Sequence, residues 1–97
     1  MDVRVLRYFL AVAREQTISG AAEVLHMTQP PLSKQLRELE EELGKQLFHR
    51  GKRRITLTKE GMLLRKRAEE IVSLVEKTKA EVSASDEQIT GDIHIGG

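Results

Sequence analysis

Cysteine and tryptophan are absent from the 97 residues, proline occurs twice, and the aromatics are two Phe and one Tyr. Without cysteine there is no disulfide framework and no thiol-rich zinc site, which fits a reducing, cytoplasmic setting. So few rings do not make a stacking platform for single strands or RNA. The longest fully apolar run, Phe9 to Ala13, has five residues, whereas a membrane-spanning helix needs about 20. No basic-then-apolar segment opens the chain, so neither export nor membrane insertion is expected. Histidine is scarce, and His26, His49 and His94 lack the short spacing of metal ligands. They read as turn, hairpin and hinge residues. There is no Gly-rich phosphate loop and no glycine-flanked nucleophile. Cofactor, metal and enzymatic activity are therefore not expected. The length suits one small domain with a modest core.

Charge is plentiful but segregated. The formal net charge of +1 divides into +6 over residues 1–67 and −5 over residues 68–97. The densest basic stretch, Arg50 to Arg67, has eight basic residues against Glu60 alone. A polyanion is a plausible partner for the first two-thirds, and a solvated basic face is the plainer alternative.

Periodicity predicts the elements. Asp2 caps a first helix whose inner face is Leu6, Phe9, Leu10 and Ala13. Gln16-Thr17 breaks that pattern. Ser19 is placed to cap a second helix, Gly20 to about Leu25, with Ala21, Ala22 and Leu25 inward. Thr28 is the next cap, and Pro30 and Pro31 suit a first helical turn. Leu32, Leu36, Leu39 and Leu43 then mark one side of a third helix, which Gly44 stops. Leu47 to Arg50 and Arg53 to Leu57 alternate like a short hairpin turning at Gly51. Thr58 caps a long helix to about Ala84. Its stripe of Leu64, Ala68, Ile71, Val75, Thr78 and Val82 has heptad spacing. At 1.5 Å per residue this helix outreaches the small core, so its outer half needs a partner, and self-pairing is the simplest. Ser83 to Gly91 reads as a linker, and Gly91 to Gly97 as the start of a strand whose partner lies elsewhere. The expected organisation is therefore a mainly α winged helix-turn-helix over residues 1–58 and a dimerisation helix over 59–84. Residues 85–97 would be a hinge into a further domain.

Three short helices followed by a basic hairpin can bind duplex DNA. The second and third helices cross over a tight turn, and the third presents its polar side to the major groove. Leucines hold its other side inward, which turns Gln29, Ser33, Lys34 and Arg37 outward by elimination. Gln pairs bidentately with adenine, Lys and Arg reach guanine, and Ser serves either. Ser19, Thr28 and the amino ends of these helices can take phosphate. Arg50, Lys52, Arg53 and Arg54 charge the hairpin at the height of backbone or minor groove. Arg37 and Arg54 are equally readable as solvated charges.

The run Ala21-Ala22-Glu23, Leu25-His26-Met27-Thr28-Gln29-Pro30, Leu32-Ser33, Gln35-Leu36, Leu39-Glu40, Leu43-Gly44, Leu47-Phe48, Arg50, Arg53, Thr56-Leu57-Thr58 and Gly61 resembles the amino-terminal region of LysR-type bacterial transcriptional regulators. The match is in order and without gaps over residues 1–61. The resemblance implies base and groove contacts at Gln29, Pro30, Ser33 and Lys34, and wing contacts at Arg50 and Arg53. It implies a linker helix that pairs two subunits and a tetramer in the intact protein. It also implies an interrupted palindrome in double-stranded DNA and a small-molecule effector bound by a further domain. Lys34 stands where the family commonly has Arg, a point charge in place of a fork. Pro31, Ile18 and Gly20 also depart from the common pattern.

A second reading belongs to another class. The heptad stripe and the acidic residues 68–97 would also suit a coiled-coil dimeriser whose helical head docks a protein.

Overall fold

A computed structural model describes the backbone of residues 1–96 and the side chains through Ala84. Helix α1 (Val3–Glu15) begins at Asp2, whose carboxylate accepts the Val5 amide at 2.9 Å. It ends at Gln16, in the left-handed region at φ 65°. Helix α2 (Ile18–Leu25) starts two residues earlier than the sequence predicts, because Thr17 and not Ser19 is its cap. The Thr17 Oγ1 accepts the Gly20 amide at 3.0 Å. A Cβ at position 20 would lie 2.7 Å from that oxygen, so the glycine makes room for the cap. Ser19 is left exposed in the first turn.

Helix α3 (Gln29–Leu43) follows Thr28 and stops at Gly44, φ 67°. Thr28 occupies the cap position, but its side chain makes no capping hydrogen bond. The reason lies in the sequence. A cap hydroxyl accepts from the second or third helical amide, and those positions are Pro30 and Pro31, which have none.

Strands β1 (Phe48–Arg50) and β2 (Ile55–Leu57) pair antiparallel, Phe48 opposite Leu57 and Arg50 opposite Ile55. Helix α4 is Lys59–Gly96. It continues through the segment expected to be linker and strand start. Residues 83–96 contain no proline to stop a helix. The hinge reading of residues 85–97 concerns side chains outside those described, and Gly97 is outside the described backbone.

The core lies where α1 meets the other helices. Phe9, Val12, Leu32, Leu36 and Leu47 are fully enclosed, and Phe9 meets the Phe48 ring at 5.3 Å between centroids. Because α1 is covered on several sides, Val5, Ala11 and Val12 are buried as well as the predicted Leu6 and Phe9, while Leu10 and Ala13 are half-buried. Of the four leucines on α3, three are buried. Leu43, at the helix end where the core stops, is 39% exposed.

Farther along α4, Glu76 accepts a hydrogen bond from Arg7 of α1. This bond, reinforced by Lys79, holds the Glu76 carboxyl below the usual carboxylate range. A depressed folded-state pKa gives stability that is present above the unfolded value and lost as pH falls through the folded one. Glu76→Gln is therefore expected to unfold more readily than the parent at neutral pH and to match it in acid. Unfolding curves across pH check this, and a gap that persists unchanged in acid would sink it.

Candidate nucleic-acid interface

The surface opposite the α3 leucines is built by the α2–α3 corner. His26, left-handed at φ 57°, ends α2 with its amide directed back to the Ala22 and Glu23 carbonyls. Met27 donates to the Ala22 carbonyl at 3.0 Å. This tight turn brings Ser19, Ala22, Glu23, Met27, Thr28, Gln29 and Pro30 around one open groove of about 580 Å³. Four predicted residues, Ser19, Thr28, Gln29 and Pro30, thus meet in one place. Gln29, Pro30, Lys34 and Arg37 are exposed, and Ser33 is half-buried on the same flank.

Besides Ala22, which was predicted to face inward, two groove residues were not among the predicted contacts. Glu23 brings a carboxylate that repels phosphate yet can accept from a cytosine amino group. Met27 brings an apolar, adaptable wall. Spacing alone did not mark them, because both belong to the corner between two helices. The two prolines also remove half of the four free amides that a helix start normally offers. Thr28's hydroxyl makes no capping hydrogen bond there.

The hairpin forms a second surface. Its tip closes with the Gly51 amide on the Arg54 carbonyl at 3.1 Å, and a Cβ on Gly51 would lie 2.8 Å from that oxygen. Lys52, Arg53 and Arg54 project from it, all exposed. Both strands are tied to the rest of the chain. The Ile55 amide donates to the Gln16 carbonyl at 2.7 Å. The Leu47 amide donates to Glu40 Oε2 at 2.8 Å, and Arg50 lies 3.7 Å from Glu40 Oε1. At the exit, Thr58 donates its hydroxyl to the Gln46 carbonyl at 2.7 Å and accepts the Gly61 amide at 2.9 Å. Arg50 is thus engaged within the chain, whereas Arg53 and Arg54 project with the tip.

On α4 the predicted seam is divided. Ala68 is fully buried against its own core, and Leu64 packs there too, joined by Val72. An enclosed alanine cannot meet a partner, so Ala68 is corrected from interface to core. Farther out, Ile71, Leu74, Val75, Thr78 and Lys79 line an open, almost wholly apolar groove of about 340 Å³. Leu74, which is not in the predicted stripe, is 62% exposed. Val82 is exposed too.

Among the described residues, no group of three or more His, Asp or Glu is placed to hold a metal ion, and no helix is long and apolar enough to cross a membrane.

Comparison with known proteins bears on this surface directly. Residues 3–62 match the family model described as bacterial regulatory helix-turn-helix protein, lysR family. The HTH-type transcriptional regulator BsdA of Bacillus subtilis (strain 168) is 50% identical over 97 residues, covering 99% of this chain and 33% of that protein. The DNA-binding transcriptional dual regulator OxyR of Escherichia coli (strain K12) is 38% identical over 96 residues, covering 99% and 32%. The BenM DNA-binding domain in complex with catB site 1 DNA superposes with a TM-score of 0.84 at 43% identity, covering 87% of this chain and 94% of that one. The CbnR DNA-binding domain in complex with DNA gives 0.84 at 36% identity, covering 88% and 98%. The chain spans about one third of the length of the curated relatives BsdA and OxyR.

Proposed function

The chain belongs to the LysR family of bacterial regulatory helix-turn-helix proteins, and we propose that its α3 reads base edges in the major groove while its hairpin grips the backbone. In this reading Gln29, Pro30, Ser33 and Lys34 face bases. Ser19, Thr28, Arg37, Arg53 and Arg54 face phosphate. Two copies pair through Ile71, Leu74, Val75, Thr78 and Val82, so the target is an interrupted palindrome in double-stranded DNA. The intact protein, a cytoplasmic regulator, would assemble further to a tetramer and answer to a small molecule held by another domain. The DNA-bound relatives favour this over a head that docks a protein.

One observation carries the reading. Leu32, Leu36 and Leu39 are buried, while Gln29, Pro30 and Lys34 on the same helix are exposed. Among the described residues, none covers the polar flank.

Duplex titrations at several salt concentrations test it. Each neutralised phosphate releases counterions, so affinity should fall steeply with salt. A flat profile would overturn the proposal. Lys34→Ala should cost about 1–3 kcal/mol on the preferred duplex and relax base choice at one position. Arg53→Ala should weaken all sequences alike and reduce the salt slope by about 1. If the two variants behave identically, the division into readers and anchors is wrong.

A further inference from the structure

We propose that Glu40 is a positioning residue for DNA binding. Its carboxylate fixes the wing to the recognition helix and holds Arg50 as a strut, so Arg50 acts through the placement of the tip and not as a phosphate contact. The proposal rests on the DNA-binding reading above and revises the role that the family resemblance implies for Arg50.

Glu40 stands apart from its neighbours. Glu38, Glu41 and Glu42 are exposed on α3, whereas the Glu40 side chain is only 11% exposed. Withdrawing a carboxylate from water is costly unless hydrogen bonds and an opposite charge replace the solvent. Glu40 has both. One oxygen accepts the Leu47 amide at 2.8 Å and the other faces the Arg50 guanidinium at 3.7 Å. Leu47 is itself enclosed, and its carbonyl accepts the Thr58 amide at 3.0 Å. Leu47, the residue just before β1, is therefore held from α3 on one side and from the start of α4 on the other.

Arg50 closes β1 opposite Ile55, the residue whose amide is bound to Gln16. The last paired rung of the hairpin is thus anchored on both strands, to α3 through Arg50 and to the α1–α2 corner through Ile55. Beyond it lies the tip, Gly51 to Arg54. A two-stranded hairpin is marginal by itself in water, so its direction depends on such ties. Leverage follows from that geometry: a loosened rung swings Lys52, Arg53 and Arg54 together. Charge points the same way. With a carboxylate 3.7 Å away, Arg50 already faces an opposite charge before any phosphate arrives.

The test uses Glu40→Gln, Arg50→Gln, the double variant and Arg53→Gln. Glutamine keeps the shape of Glu40 and an acceptor for Leu47, so thermal unfolding should confirm folded proteins. Two measurements follow: duplex affinity against salt, and amide exchange of Gly51 in the free protein, which reports closure of the tip. Expected are affinity losses of about tenfold for Glu40→Gln and for Arg50→Gln, within the range of coupled neighbours. Both should keep the parent's salt slope, and the double variant should be no worse than either. Arg53→Gln should lower the slope by about 1. Gly51 exchange should quicken in both single variants. The proposal is overturned if Arg50→Gln lowers the slope by about 1 while Glu40→Gln binds as well as the parent or better. That outcome would make Arg50 a phosphate anchor for which Glu40 competes. It is equally overturned if Gly51 exchange does not change. A parent chain that bound no duplex would instead defeat the DNA-binding reading, and the exchange measurement would still decide whether the strut exists.

Discussion

Gly61→Ala is expected to lose about 3 kcal/mol or more of folding stability, at the upper end for overpacking a tight site. A Cβ there would lie 2.1 Å from the Leu47 carbonyl oxygen, 3.1 Å from its carbon and 3.2 Å from Leu57 Cδ2. Neither backbone can yield. The Leu47 oxygen already accepts the Thr58 amide at 3.0 Å, and Gly61 donates its own amide to Thr58 Oγ1 at 2.9 Å. To make room, the first turn of α4 must leave the hairpin and break the bonds that seat both. For a domain of this size the midpoint of thermal unfolding should fall by about 12 °C or more. Gly44→Ala is the control. Its φ is 67° but none of the described residues lies within 4 Å of the added Cβ, so only the left-handed backbone resists, at about 1 kcal/mol. Denaturant titrations of both variants decide the matter. Equal, mild losses would mean that α4 does not approach the hairpin so closely.

That contact illustrates what could and could not be seen in advance. Caps and apolar spacing were enough to predict the three short helices and the hairpin, because those signals are local. They failed by two residues at Thr17, where two nearby hydroxyls, Thr17 and Ser19, compete for the cap and Gly20 decides. Thr28 is the opposite case. Its lack of a capping bond was readable from Pro30 and Pro31, since the donors it would need do not exist. The Glu40–Arg50 tie joins residues ten apart across a helix end and a strand, a distance at which no periodicity operates. Likewise the corner groove draws Glu23 and Met27 from the end of one helix and the turn after it. On α4 the heptad reading merged two neighbouring stripes. Leu64, Ala68 and Val72 face the chain's own core, whereas Ile71 and Leu74 face outward. Only the position of α1 against the helix separates them.

The separation sharpens the second large effect. Replacing Ile71 and Leu74 together by Glu is expected to leave monomers in sedimentation while the winged head stays folded. Both side chains are exposed in the single chain, so charging them removes nothing from its core. In a pair of chains, however, the same change would bury carboxylates in an almost apolar groove, which is strongly unfavourable. DNA binding should reveal the loss more sharply than folding does. When two heads are joined, binding of the second is intramolecular, and avidity exceeds single-site affinity by about a hundredfold or more. The variant should therefore bind a duplex with two half-sites about a hundredfold more weakly, yet bind a single half-site as the parent does. Ala68→Glu makes the contrast. It places a charge in the enclosed α1–α4 contact and should unfold the head along with any pairing. If the Ile71, Leu74 variant remains dimeric, the pairing surface lies elsewhere on the chain. If it becomes monomeric but keeps full affinity for the double site, pairing and DNA recognition are independent, and the long helix is not what sets the spacing of the two heads.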